Sequence, residues 1–217
     1  MKLLADIIRM IVEGIDEYDP YDRDSWNEDD ENSHERVDLE DILDSDSFYF
    51  MSFSRFTGFK GPDREQDINA KPDGLWYAPG LEWINFVKGR PGVLPDDWYE
   101  EYQFVYEIQP MLDSMIVVSD GDGLEAFNAE FGAPFPDARN TMRIGGNGID
   151  WRAVAQRFAG IQTGQNVYST HDTLWYDSWD VASGCIWDKR AIDWVQLVAQ
   201  RDVDGVWERV QGRSLQK

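Results

Sequence analysis

Apolar positions in the first fifteen residues recur at helical spacing: Leu3, Leu4, Ile7, Ile8, Ile11, Val12 and Ile15 fall on one stripe. The pattern predicts an amphipathic helix. Its polar positions Asp6, Arg9 and Glu13 have mixed sign, which suits packing on a core or a partner chain better than lying on a membrane surface. The periodicity then lapses. Residues 16–47 hold fifteen acidic side chains and two arginines, the composition of a flexible acidic loop or extended insertion, with a short helix expected over 37–43. From Phe48 the chain becomes dense in aromatic strand formers, and residues 48–54 read as a strand. Further strands are expected over 74–78, 103–108, 115–119, 160–162, 183–188 and 194–199, with one more over 206–210. Pro110 falls in the connection between the third and fourth of the series. Helices are expected over 81–88, 123–131 and 149–158, the last with Asp150 capping its start, and 119–123 reads as a turn. Short strands separated by helices and irregular loops predict an α+β fold with a largely antiparallel sheet. The chain divides into an N-terminal helix and acidic segment (1–47) and a single α+β core domain (48–217).

A length of 217 residues suffices for one domain with a real core, and 42% apolar residues with ten tryptophans is too much apolar mass for a disordered chain. The single cysteine, Cys185, excludes an internal disulfide framework and a multi-thiolate zinc site. It lies in the apolar run Gly184-Cys185-Ile186-Trp187 and reads as a small buried hydrophobe. No apolar stretch reaches the roughly 18 residues of a membrane span, and Asp6 and Glu13 interrupt the apolar centre that a signal peptide needs, so a cytoplasmic protein is expected. The net charge of −22 argues against direct contact with nucleic-acid phosphates, because no basic stripe compensates it. That charge suits a saline environment, mimicry of a nucleic acid against a basic partner, or simple solubility.

Most catalytic signatures are missing. There is no dinucleotide-binding glycine fingerprint, phosphate loop or zinc-protease motif, and Ile144-Gly145-Gly146-Asn147-Gly148 reads as a loop. With only His34 and His171, a histidine-rich metal site is excluded. His34 sits among acids, and His171 stands in a polar turn where general acid–base work is conceivable. Two aromatic segments stand out, 71–83 and 175–188. Each sets rings beside acids, hydroxyls and glycine, as a pocket for a planar heterocycle would. An acid at its lip, Asp180, could stabilise a positive reaction centre. The same letters also suit a tryptophan-rich core in which Asp180 and Ser183 cap turns.

The phrases KPDGLWYAPGLEW and WYDSWDVASGCIWD resemble those of a family of uncharacterised proteins common in bacterial viruses. The order of pieces is similar to an ADP-ribosyltransferase core. An early strand carries a polar motif residue, a second reads Gly-Leu-Trp-Tyr-Ala, and a late strand follows an acid. The resemblance implies a split, mostly antiparallel sheet that clamps NAD in a cleft. Ser52, Ser54 or Arg55 would supply the first-strand position. Tyr77 would stack on nicotinamide with Trp76 behind it, and Trp179 and Ser183 would flank the ligand. Asp180 would stand where the transferases carry a glutamate that grips the ribose and steadies an oxocarbenium-like transition state. This aspartate is one methylene shorter, and the first-strand histidine of some subclasses is absent. The implied function is a virus-encoded, NAD-dependent protein that modifies or inhibits a host macromolecule. Two other classes fit the residues: a non-enzymatic acidic inhibitor whose segment 16–47 occupies the basic surface of a host protein, and an accessory virion protein that self-associates through its N-terminal helix.

Overall fold

The computed structural model describes residues 38–62, 65–89, 98–135, 147–164, 175–176, 179, 181–210 and 214–215. The expected N-terminal helix, the acidic residues before 38, His34, His171 and Asp180 lie outside them. The strands are β1 (Phe48–Ser52), β2 (Ile68–Asn69), β3 (Leu75–Pro79), β4 (Phe104–Pro110), β5 (Ile116–Val118), β6 (Gly132–Pro134), β7 (Asn147–Asp150), β8 (Gly160–Thr163), β9 (Gly184–Ile186), β10 (Ile192–Arg201), β11 (Trp207–Arg209) and β12 (Ser214–Leu215). The helices are α1 (Glu82–Lys88), α2 (Trp98–Glu101), α3 (Gly121–Phe131) and α4 (Trp151–Ala155).

Among the described residues, nine strands form one large sheet in the order β11-β10-β4-β1-β3-β9-β8-β5, with β12 added to β10. A separate small sheet runs β2-β7-β6. The large sheet is antiparallel except for the β5–β8 pair. A parallel pair needs a long crossover, and the stretch between β5 and β8 supplies it with α3, the small sheet's β6 and β7, and α4. The α+β expectation with a mostly antiparallel sheet therefore holds.

Alternation along the strands decides which face each residue meets. On one face, Trp76, Cys185, Ile161 and Val118 join α3 and α4 in a tryptophan-rich cluster. Beside it on that face, Tyr49 and Val105 pack with Ile84 and Val87 of α1. On the opposite face Phe50, Tyr77, Tyr106, Ile108, Ile186 and Val195 meet Phe56 and Phe59 from the loop after β1. Leu39 and Leu43 are buried beside Tyr49, so the described end of the acidic segment is anchored to the core by its two leucines. Its carboxylates Asp38, Glu40, Asp41, Asp44 and Asp46 remain exposed.

Several elements differ from the sequence expectation, among them Asn147 and Gly148, expected in a loop, which open β7. The helix expected over 149–158 starts only at Trp151, because Ile149 pairs with Asn69 and Gly132 in the small sheet. Asp150 still caps it, accepting from the backbone N–H groups of Arg152 (3.1 Å) and Ala153 (3.3 Å). Residues 119–123, expected as a turn, open α3, where Asp120 caps by accepting from the Gly123 N–H at 2.8 Å. Pro110 closes β4 rather than lying in a connection; a strand terminus tolerates the missing N–H.

Candidate functional site

The sheet is seamed between β1 and β3. β1 pairs with β4 along all five of its residues, from Phe48↔Ile108 to Ser52↔Phe104. With β3 it pairs only at Phe48↔Pro79 and Tyr49↔Ala78. The other half of β3, Leu75 to Tyr77, pairs with β9. From Phe50 onward β1 follows β4 while β3 follows β9, and the ladder between them ends. The two aromatic segments of the sequence meet in the β3–β9 ladder beside this seam, since β3 lies in the first and β9 in the second.

The β1 side carries Ser52, Ser54 and Arg55. Ser52 is buried, and its hydroxyl donates to the Ser54 carbonyl at 2.7 Å while accepting from the Ser54 N–H at 3.3 Å. The pair forms a tight turn that leaves the strand with Arg55 exposed.

The β3 side carries Trp76 and Tyr77 on opposite faces. Tyr77, expected to stack on the ligand, is a core residue. It is 2% exposed, meets Phe48 edge-on at 5.4 Å and points its hydroxyl at Met115 Sδ, 3.9 Å away. Burial pushes its phenol well above the ordinary range. Its ring covers Gly184: a Cβ there would lie 2.2 Å from Tyr77 Cζ. A ring so enclosed has no face left for a planar ligand.

Trp76 is half-buried on the other face. It meets Trp179 edge-to-face at 4.8 Å, and the Lys71 ammonium lies 5.5 Å from its ring centroid. The indole N–H groups of Trp151, Trp175, Trp179 and Trp187 donate to Asn69 O, Asn128 Oδ1, Ala70 O and Phe158 O. Trp76 Nε1 is buried with no acceptor among the described residues. A buried unmatched donor is costly to keep, so this atom is the polar anomaly of the tryptophan cluster.

The second aromatic segment crosses between the two clusters on this face. Trp179 packs with the tryptophan cluster, whereas Val181 packs with the α1 cluster. Asp180, between them in sequence, is outside the described residues. Ser183 is buried; its hydroxyl donates to Val181 O at 3.1 Å, and its backbone is tied to Thr163. It acts as a turn cap behind the segment. Cys185 is fully buried, and desolvation, with Asp73 nearby, raises its thiol well above the usual value while Lys71 opposes the rise. The expectation of a buried small hydrophobe is met.

Ser52 shares the face of β1 that carries Phe50, and Arg55 lies near Tyr106 on that face, whereas Trp76 stands on the opposite face; the structure does not gather these candidates around one point, and it removes Tyr77 to the core. Sequence reasoning passed over Lys71, which stood at the head of the first aromatic segment. It also passed over Gln66, whose side chain clamps the backbone of Asp73. A glutamine seven residues away in a loop carries no local pattern that would reveal this. Among the described residues no cluster of His, Cys, Asp or Glu converges as a metal site would, and no helix is long and apolar enough to cross a membrane. No protein-family model, curated protein or solved structure matches the chain.

Proposed function

We propose that this is an ADP-ribosyltransferase-like protein that binds NAD in the seam between β1 and β3 and acts on a host macromolecule. The supporting observation is the divergence of these two strands after two register pairs, with Ser52 on β1 and Trp76 on β3. The residues present fit such a ligand in two respects. Trp76 offers a half-buried ring and a buried N–H that lacks an acceptor among the described residues, which a carboxamide or ribose oxygen would satisfy. Lys71 places positive charge beside Trp76 in a chain of net charge −22, suited to a diphosphate. The stacking role assigned by resemblance to Tyr77 passes to Trp76.

Bound NAD supplies an N-glycosidic bond whose cleavage releases nicotinamide and transfers ADP-ribose to a nucleophile on the acceptor. The chain's part is to hold and to stabilise. Trp76 and Trp179 exclude water and orient a planar ring, while Lys71 beside Trp76 attracts negative charge. The Asp180 carboxylate stabilises positive charge as it develops at the ribose, an effect of a few kcal/mol for a positioned group. Replacing Asp180 by Ala is therefore expected to lower NAD turnover by about 10²–10³-fold without loss of melting temperature. Unchanged turnover in that variant rejects the assignment of roles.

The alternative, an acidic inhibitor of a basic host protein, draws on the exposed carboxylates of residues 38–46. It predicts binding to such a partner that weakens steeply with salt and needs no NAD.

A further inference from the structure

On the far side of β1 from the seam, β4 and β10 pair along most of their length. Val105 of β4 and Tyr49, which opposes Glu107 from β1, lie in the α1 cluster. Tyr106, Ile108, Val195 and Leu197 lie in the cluster on the opposite face. Strand alternation therefore puts Glu107, Gln109, Trp194 and Gln196 on the α1 face, yet none of the four belongs to a core cluster. The register sets Trp194 against Gln109 and Gln196 against Glu107. The indole and the carboxylate are thus diagonal neighbours, about 7–8 Å apart and within reach of one ligand group.

The fold leaves these side chains with open valences. Trp194 is half-buried, and among the described residues it has no hydrogen bond, ring contact or cation. Its indole face is therefore not used for packing as the rings of the tryptophan cluster are. Glu107 is half-buried as well. The Ser47 hydroxyl donates to its Oε1 at 2.8 Å, and no basic side chain among the described residues pairs with the carboxylate. The Gln109 amide nitrogen turns to the Pro110 carbonyl at 3.4 Å, which leaves its Oε1 as an acceptor.

A π face, a carboxylate oxygen and a carboxamide oxygen all seek the same complement: a flat, positively charged group that only donates. An arginine guanidinium has five donors and no acceptor, and it stacks on aromatic rings. An ammonium shares the charge but not the flat face. Anions are repelled by Glu107 and by the net charge of −22. We propose that this strip of β4 and β10 is a docking site for an arginine side chain of a partner protein, with the guanidinium stacked on Trp194 and donating to Glu107 and Gln109. The site shares no residue with the seam, so it stands or falls independently of NAD binding.

The test is two-dimensional NMR of the nitrogen-labelled full chain, following the Trp194 indole N–H signal, which is identified by its loss in Trp194→Leu. The probes are the end-capped tripeptide Gly-Arg-Gly, its lysine counterpart and maltose. The arginine peptide is expected to shift this signal saturably, the lysine peptide to bind at least about threefold more weakly, and maltose to leave it in place. Glu107→Gln keeps the side-chain shape and the acceptor for Ser47 but removes the charge, and should weaken the arginine peptide about five- to tenfold. Glu65→Gln, which removes an exposed charge in the loop before β2, should change little. No shift with the arginine peptide, equal affinity for the lysine peptide, or a shift with maltose overturns the proposal, and these comparisons need only the wild type. Equal weakening by Glu65→Gln and Glu107→Gln overturns it too, since the attraction would then be to the overall charge.

Discussion

Adding a single methyl group at Gly184 tests whether Tyr77 belongs to the core. A Cβ at this position would lie 2.2 Å from Tyr77 Cζ, 2.3 Å from its hydroxyl oxygen and 2.6 Å from Cε1. Carbon atoms in contact sit about 3.5–4.0 Å apart, so the ring must retreat by more than an ångström. It has little room to do so, because Phe48 meets it edge-on at 5.4 Å and Met115 lies beyond its hydroxyl. Overpacking of this kind costs about 1–3 kcal/mol, and backing by a fully paired sheet places Gly184→Ala near the upper end. For a chain of this size that is a fall in melting temperature of roughly 5–10 °C. The control is a double-mutant cycle with Tyr77→Leu, which alone costs about 2–4 kcal/mol by truncation but clears the space above residue 184. In that background the added methyl should be nearly neutral, giving a coupling of at least about 1 kcal/mol. Thermal and urea unfolding of the four proteins read it directly. A Gly184→Ala variant as stable as wild type, or one equally harmful in both backgrounds, refutes the placement of the ring over the glycine.

Further outcomes follow from the same geometry. Tyr77→Phe removes only the hydroxyl and its 3.9 Å contact to sulfur, so NAD binding should survive it, whereas Trp76→Ala should weaken binding about tenfold or more; calorimetry of the two variants decides between the two aromatics. Burial holds the Cys185 thiol and the Tyr77 phenol protonated in the folded state above their ordinary values. Their contribution to stability is therefore complete below about pH 8.5 and declines as pH rises past the unfolded thiol value. A melting temperature that falls from about pH 8.5 upward, less steeply in Cys185→Ala, is expected; an identical decline in the variant contradicts it. Native Cys185 should resist thiol reagents at neutral pH until the protein unfolds. With a net charge of −22, raising ionic strength from about 0.01 to 0.15 M shortens the screening length from about 30 to about 8 Å and should raise the melting temperature.

Much of the large sheet was legible in sequence because its strands advertise themselves locally. Phe48–Ser52, Leu75–Pro79, Phe104–Pro110 and Ile192–Arg201 are runs rich in β-branched and aromatic residues, and Asp150 announced its cap by position. The small sheet was not legible. Ile68–Asn69 and Gly132–Pro134 are too short to show a period and owe their pairing to β7, which is distant from both in sequence. The parallel β5–β8 pair was hidden for a related reason, since antiparallel and parallel partners have the same local pattern.

At the site, sequence supplied the two aromatic segments but not their sidedness. Trp76 and Tyr77 are neighbours, and a one-residue step sends one to each face of the sheet. Which face is core and which is half-exposed depends on Gly184 across the ladder. A glycine opposite a tyrosine is the trace such packing leaves in sequence, and it becomes readable only once the β3–β9 register is known.

The central claim is that the seam between β1 and β3 holds NAD. Isothermal calorimetry of the wild-type chain against NAD, with the Trp76→Ala variant beside it, tests this most directly. Saturable heat with one site per chain, lost or strongly reduced in the variant and accompanied by a rise in melting temperature of the size that about 2.7 kcal/mol of ligand stabilisation brings at a hundred times Kd, is the predicted result. No heat and no thermal shift at millimolar NAD contradicts the claim and favours the acidic-inhibitor reading.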